Sequence, residues 1–244
     1  MVRKRHLAHA PIREALIDIA VRVPVETSLD LLGSLQAAIA SEFPRKQEIK
    51  TAEVEVDIAK ETNKFVKTGI GWAFRTEDEK RVVQFRTNGF TFNWLKPYTN
   101  WKDLRSHAQR MWQLYADTVR PEVISRLAVR YINQLELPLP MNDFAEFITA
   151  QPVIPAALPQ KVGSFFTRVA IHDDQTDCGA VITQVFEGLV DPKVFPLILD
   201  IDASKLVSLK RDDPGIWLVL DQLRDLKNDI FFESLTEEAV RLFE

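Results

Sequence analysis

Residues Trp101 to Leu127 read WKDLRSHAQRMWQLYADTVRPEVISRL, and residues Trp217 to Phe243 read WLVLDQLRDLKNDIFFESLTEEAVRLF. A shift of about 116 residues lays one stretch on the other without a gap, as a duplicated chain would show. Trp101 then falls on Trp217, Leu104 on Leu220, Val119 on Leu235, Glu122 on Glu238 and Ile124 on Val240. A similar shift lays Ala20-Val21-Arg22-Val23-Pro24 on Gln134-Leu135-Glu136-Leu137-Pro138. A repeat this long is too long for a solenoid and implies two similar halves, 10–122 and 123–244, forming one structural unit. The plain alternative is two amphipathic segments of similar period that match by chance.

The elements around the echo follow from spacing. Ile17, Ile19, Val21 and Val23 alternate with Asp18 and Arg22, which predicts a strand ended by Pro24. Thr27 or Ser28 can cap a helix bearing Leu29, Leu32, Leu35 and Ile39, stopped by Pro44. Strands are expected from Ala52 to Ala59, with Val54, Val56 and Ile58 inward, from Phe65 to Arg75, from Arg81 to Thr87, and from Phe90 to Leu95. Asn88-Gly89 supplies a hairpin turn, and Thr99 or Asn100 caps a long helix ending before Pro121. The second half repeats this order. A strand runs Leu127 to Leu137, a short helix capped by Asn142 or Asp143 runs through Ile148, and a proline-rich connector spans Pro152 to Pro159. Strands at Ser164–Ile171, Ala180–Phe186 and Leu197–Leu206 precede a long helix after Asp213-Pro214 and a terminal one at Thr236. The reading is an α+β fold of two β-α-β-β-β-α units about a pseudo-twofold axis. Antiparallel sheet or sheets would carry the long helices on one face.

With 46% hydrophobic and 27% charged residues, 15 Phe and 5 Trp, the 244-residue chain has the composition of a globular protein with a sizeable core. A net charge of −4 gives no electrostatic basis for general nucleic-acid binding. Its basic cluster, Arg3-Lys4-Arg5, runs into His6 and His9 rather than an apolar leader. A single cysteine excludes an intrachain disulfide and fits a cytoplasmic protein, and no apolar run is long enough to predict a transmembrane helix.

Several stretches carry a resemblance: Ala10 to Ile17, Phe90 to Trp101, Arg130 to Pro138, Leu199 to Asp202, and Leu226-Lys227-Asn228 on to Phe243. Together they resemble a sporadically distributed family of bacterial proteins that has no assigned activity. The resemblance spans nearly the whole chain and implies one unit rather than two fused modules. A patchy distribution suits accessory genes such as defence or toxin–antitoxin loci.

Candidate chemistry is sparse. Asp200 and Asp202 lie two apart in a strand and so share a face, where they would bind a divalent metal or share a proton. The alternatives are a solvated strand face or ion pairs with a neighbouring-strand arginine. Arg75, Arg86, Arg130 and Arg168 recur inside strands, and on one sheet face would bind an anionic ligand. Mid-strand arginine more often pairs with a carboxylate. Arg168 shares its face with His172, which begins the Asp-rich segment His172 to Asp177, read as a hairpin turn. His107 falls on the outer half of its helix, and Cys178 has no base or oxyanion hole in sequence. Gly69-Ile70-Gly71 lacks the third glycine of a dinucleotide fingerprint. Trp94, Tyr98 and Trp101 form an aromatic corner that either fixes a strand to the core or flanks a ligand groove.

These readings leave two functions. The first is a non-catalytic module that binds a protein partner or a small anionic ligand in the groove between the halves, with no cofactor and no metal. The second is a metal-dependent or acid–base enzyme built on Asp200 and Asp202 with strand arginines. A homo-oligomer is compatible with the stripe of Leu220, Leu223, Leu226, Ile230 and Phe231.

Overall fold

A computed structural model of the chain describes residues 5, 7–57, 62–141, 143–189 and 191–244, the side chains of 52–66 excepted. Nine strands, β1 (Ile12–Arg22), β2 (Arg45–Asp57), β3 (Thr62–Arg75), β4 (Arg81–Arg86), β5 (Gly89–Leu95), β6 (Val123–Pro138), β7 (Phe165–Asp173), β8 (Cys178–Phe186) and β9 (Val194–Leu209), form one sheet. Their order is β2-β3-β4-β5-β1-β6-β9-β8-β7, and every pairing is antiparallel. The first and sixth strands in sequence therefore sit together in the middle.

Alternation explains which residues are inside. On β1, Ala15, Ile17, Ile19 and Val21 are buried; on β6, Leu127, Val129, Tyr131, Leu135 and Leu137 are buried. Ile17 pairs with Val129 and Phe92, and Ile19 with Leu127 and Phe90, so these side chains share one face. Helix α3 (Trp101–Val119) follows an α1 (Leu29–Ser34) and a short α2 (Gln36–Ile39) in the chain. It packs on β5 and β1, where Trp112 and Tyr115 meet Phe90 at ring-centroid separations of 5.8 and 6.2 Å. The Tyr115 hydroxyl donates to the Arg86 carbonyl at 2.8 Å, and burial pushes its pKa up. Helix α4 (Gly215–Glu233) packs on β6 and β9, and α5 (Glu237–Arg241) follows it.

Local chemistry sets the ends. Ser28 Oγ accepts from the Leu31 amide at 3.1 Å and opens α1. Asn100 Oδ1 accepts from the Asp103 amide at 2.9 Å and opens α3. Arg120, in the left-handed region at φ 52°, closes that helix ahead of Pro121. Thr236 Oγ1 accepts from the Ala239 amide at 3.2 Å and opens α5. A Cβ on Gly71 would come 2.2 Å from the Phe85 carbonyl oxygen, so strand approach explains this glycine without a phosphate loop.

Several expectations change. Helix α2 ends at Ile39, five residues short of Pro44, and β2 begins at Arg45 rather than Ala52. The inward placement of Val54, Val56 and Ile58 lies outside the described side chains. Four strands follow β1 in the first half and three follow β6 in the second. The short helix expected through Ile148 is a 3₁₀ turn, Phe144–Glu146, opened by Asp143; Asn142 lies outside the described residues. The gap-free echo also breaks at its end. Residues from Val123 on enter β6, whereas their counterparts from Ala239 on continue α5. Short apolar spacing does not distinguish strand from helix, which is why the sequence match ran on.

Phe90 sits under both Trp112 and Tyr115 with no exposed surface. Phe90→Ala is expected to lower unfolding free energy by about 3–5 kcal/mol, read as a reduced urea midpoint at unchanged slope.

Candidate functional site

The sheet face opposite Ile17 and Phe90 carries the charges singled out in the sequence. Arg130 grips Asp200 in a two-point contact, Nε to Oδ1 at 2.9 Å and Nη2 to Oδ2 at 2.5 Å. Arg126 reaches Asp202 at 3.1 Å and Asp18 at 3.5 Å. Arg86 and the Thr91 hydroxyl both donate to Asp18 at 2.7 Å. The hydrogen bond to Asp200 is the main cause that raises the Arg130 pKa. Asp200 and Asp202 thus share a face as expected, but each belongs to an arginine. Three arginines answer three aspartates, so the network offers neither a vacant carboxylate pair nor a free anion site. Among the described residues no group of three or more His, Cys, Asp or Glu is arranged to hold a metal ion.

The remaining candidates separate. Arg168 lies opposite Thr183 on an exposed stretch of β7. His172 lies in β7 opposite Gly179, just before the hairpin turn, 3.7 Å from Asp174 and 3.6 Å from Asp177. Asp173 accepts from the Thr176 hydroxyl and the Gln175 amide, which lowers its pKa and builds an ordinary Asp turn. Cys178 is buried, its thiol 3.6 Å from the Thr176 carbonyl. His107 is not on an outer surface: it stacks on Phe92 at 6.1 Å and approaches Glu42 at 3.7 Å, and burial lowers its pKa. Trp94 packs against His107 and donates to the Pro97 carbonyl at 3.1 Å, so it belongs to the core corner.

Tyr98 and Trp101 lead elsewhere, into a cleft of about 610 Å³. Its walls come from the N-terminal segment Leu7–Pro11 and the start of β1, the Lys96–Trp101 corner, β6, α4 and Phe243. That volume suits a small molecule. Its lining therefore draws on the N-terminal segment, on residues within 10–122 and on residues within 123–244. The indole N–H of Trp101 donates to Asp221 at 2.7 Å, and Arg105 lies 3.4 Å from the same carboxylate, tying α3 to α4 beside the cleft. The His9 amide donates to the Phe243 carbonyl at 3.0 Å, pinning the two ends of the chain at its rim.

On α4, Arg224, Lys227, Asn228 and Phe231 recur at i, i+3, i+4 and i+7 and line the cleft along one helix face. Lys227 is only 7% exposed, with Nζ 3.8 Å from the centroid of the Tyr131 ring. It has no carboxylate or hydrogen-bond partner among the described residues. Burial, then the nearby Arg224, lowers its pKa to about 7. Tyr131 and Tyr98 share a hydroxyl hydrogen bond at 3.0 Å with their rings edge to face. Burial raises both phenols, Tyr98 to about 12, so each stays protonated and can only donate or accept a hydrogen bond at neutral pH. The cleft is lined by Arg5, Arg13, Lys96, Arg224 and Lys227 against the single carboxylate Glu136. Arg5 is spent on Glu237 and Arg224 on Asp225; Arg13 and Lys96 have no such partner among the described residues.

Sequence reasoning found Tyr98 and Trp101 and passed over Lys227. A signal existed: Lys227 sits between Leu223 and Ile230 on the buried stripe of α4, where a lysine is out of place. The chain matches no protein-family model and no curated protein.

The buried amine couples to stability. The Lys227 pKa in the fold lies below the ordinary 10.5, so between about 7 and 10.5 the unfolded chain holds the extra proton. Stability therefore rises with pH across that window. Lys227→Met is expected to be more stable than the parent at pH 6 by on the order of a few kcal/mol, with the gap closing by pH 10. Urea midpoints of both proteins at pH 6, 8 and 10 check this; a gap independent of pH contradicts it.

Proposed function

We propose that this chain is a non-catalytic binding module that captures a small anionic ligand in the cleft between its halves. The observation that carries the reading is Lys227, buried in a ligand-sized cleft with no carboxylate among the described residues to neutralise it. A buried charge without a partner is costly, and a bound carboxylate or phosphate supplies the missing counter-charge. Arg13 and Lys96 extend the positive potential around it, in a chain whose net charge is −4. Asn228 adds an amide donor, and the Tyr98–Tyr131 pair adds a hydroxyl.

The halves that form the cleft are best read as a duplicated unit. Outward from the central β1–β6 pair, the strands run β5-β4-β3-β2 on one side and β9-β8-β7 on the other. Each half then closes with a 19-residue helix over its own central strands. This supports a pseudo-twofold axis through the central pair, with a ligand site at the junction. The family resemblance, with its accessory-gene distribution, belongs to the same proposal: a bacterial cytoplasmic sensor or adaptor module. The competing enzyme reading needed Asp200 and Asp202 free in a cleft, and both are instead held by Arg130 and Arg126 on an open sheet face.

The test is thermal unfolding at constant ionic strength with inorganic phosphate, citrate or acetate, and with glycerol as a neutral control. At one or more of these anions the melting temperature is expected to rise with concentration. A ligand at 100 times its Kd contributes about 2.7 kcal/mol. The rise is expected to vanish in Lys227→Met. Equal response of parent and variant to every anion rules the reading out.

A further inference from the structure

We propose that Lys227 captures its ligand covalently, as an imine with the carbonyl group of a small anionic aldehyde or 2-oxo acid. The inference rests on the anion-binding reading above and specifies the ligand's chemistry.

Geometry comes first. An amine that forms an imine must be reachable from a cleft, must carry a free lone pair and must not be locked into a salt bridge. Lys227 lines the cleft, and its Nζ meets a ring face rather than a carboxylate. A cation over an aromatic face gains much less than it would from a buried carboxylate, so the arrangement does little to hold the proton on the amine. The groups that share the cleft point the same way. Arg224 one turn back on α4, Arg13 on β1, Lys96 at the corner and His9 on the N-terminal segment are cationic or neutral. Tyr131 on β6 and Tyr98 on the corner loop are neutral phenols, and Glu136 on β6 is the one carboxylate of the lining. Burial and Arg224 lower the Lys227 pKa to about 7, so a substantial share of it is unprotonated at neutral pH, whereas an exposed lysine is unprotonated to roughly one part in three thousand. Desolvation of this kind is how lysines become nucleophiles at neutral pH.

The reaction balances without a further reagent. The Nζ lone pair attacks the carbonyl carbon and the amine proton passes to the carbonyl oxygen, giving a carbinolamine. The nitrogen lone pair then expels that oxygen as water, and loss of the second N–H proton leaves a neutral C=N bond. One water leaves, nothing is oxidised or reduced, and the step reverses by hydrolysis. The ligand's acidic group remains for Arg13 and Lys96 of the lining, which have no ion-pair partner among the described residues. This explains why one cleft would hold both fixed cations and a lysine able to shed its charge.

The probe is glyoxylate, which carries an aldehyde and a carboxylate. Sodium cyanoborohydride traps any imine, and peptide mass spectrometry locates it, at pH values from 6 to 9. Lys227 is expected to be labelled at least about tenfold faster than Lys96 at pH 7, with a rate that levels off above that pH, while Lys96 keeps rising. Lys227→Arg keeps the cation but has no primary amine and is expected to lose the label, while Lys96→Arg is expected to leave the label on Lys227 in place. An unlabelled Lys227, or one labelled no faster than Lys96, overturns the imine. If acetate or phosphate still stabilises the parent through Lys227 in that case, the anion-binding reading stands alone. Propanal supplies the converse arm. Labelling of Lys227 by propanal as fast as by glyoxylate keeps the imine and overturns the anionic requirement.

Discussion

The antiparallel pairing of β1 with β6 is the constraint on which the rest depends. These strands are separated by a hundred residues of chain, yet they form the spine from which both wings of the sheet extend. Their inward faces, Ile17 and Ile19 against Val129 and Leu127, lie at the middle of the core. Their ends bring Ile12 and Arg13 beside Asn133 and Gln134, and that meeting is the floor of the cleft. Slip the pairing by one residue and every side chain changes face. Asp18 and Arg126 would enter the core, and Tyr131 would leave Lys227.

The two faces of the sheet manage charge differently. On the helix-free face, Arg86, Arg126 and Arg130 meet Asp18, Asp202 and Asp200 across neighbouring strands in partly buried ion pairs, so each of these aspartates has an arginine partner. On α4, Lys227 is buried with no carboxylate partner among the described residues. The first arrangement fixes geometry and neutralises itself. The second leaves an electrostatic demand unmet, and an unmet demand inside a cleft marks a place where a ligand changes the free energy most.

Much of the fold was legible because alternation and punctuation agree. The Ile17 to Val23 pattern, the Asn88-Gly89 turn and the caps at Ser28, Asn100 and Thr236 each announce an element end by a local mechanism. What failed lacked one. Arg45 to Lys50 has almost no apolar alternation and is a strand because its backbone pairs with β3. The segment around Phe144 has room for only a single turn before Ile148 bridges to Leu235. Of the site, the aromatic half was visible in Tyr98 and Trp101. The arginines of the sheet misled because sequence gives the face of a strand but not the partner across it. Lys227 was hidden among leucines, where its spacing, rather than its chemistry, was informative.

The hydrogen bond from the His9 amide to the Phe243 carbonyl joins residues more than two hundred positions apart at the mouth of the cleft. During synthesis the first wing of the sheet can pair and pack long before the segment around Phe243 has been made. The cleft therefore gains this part of its rim only when the segment around Phe243 meets the segment around His9, so a chain cut before Phe243 would keep the paired strands of the sheet and lose one wall of the cleft.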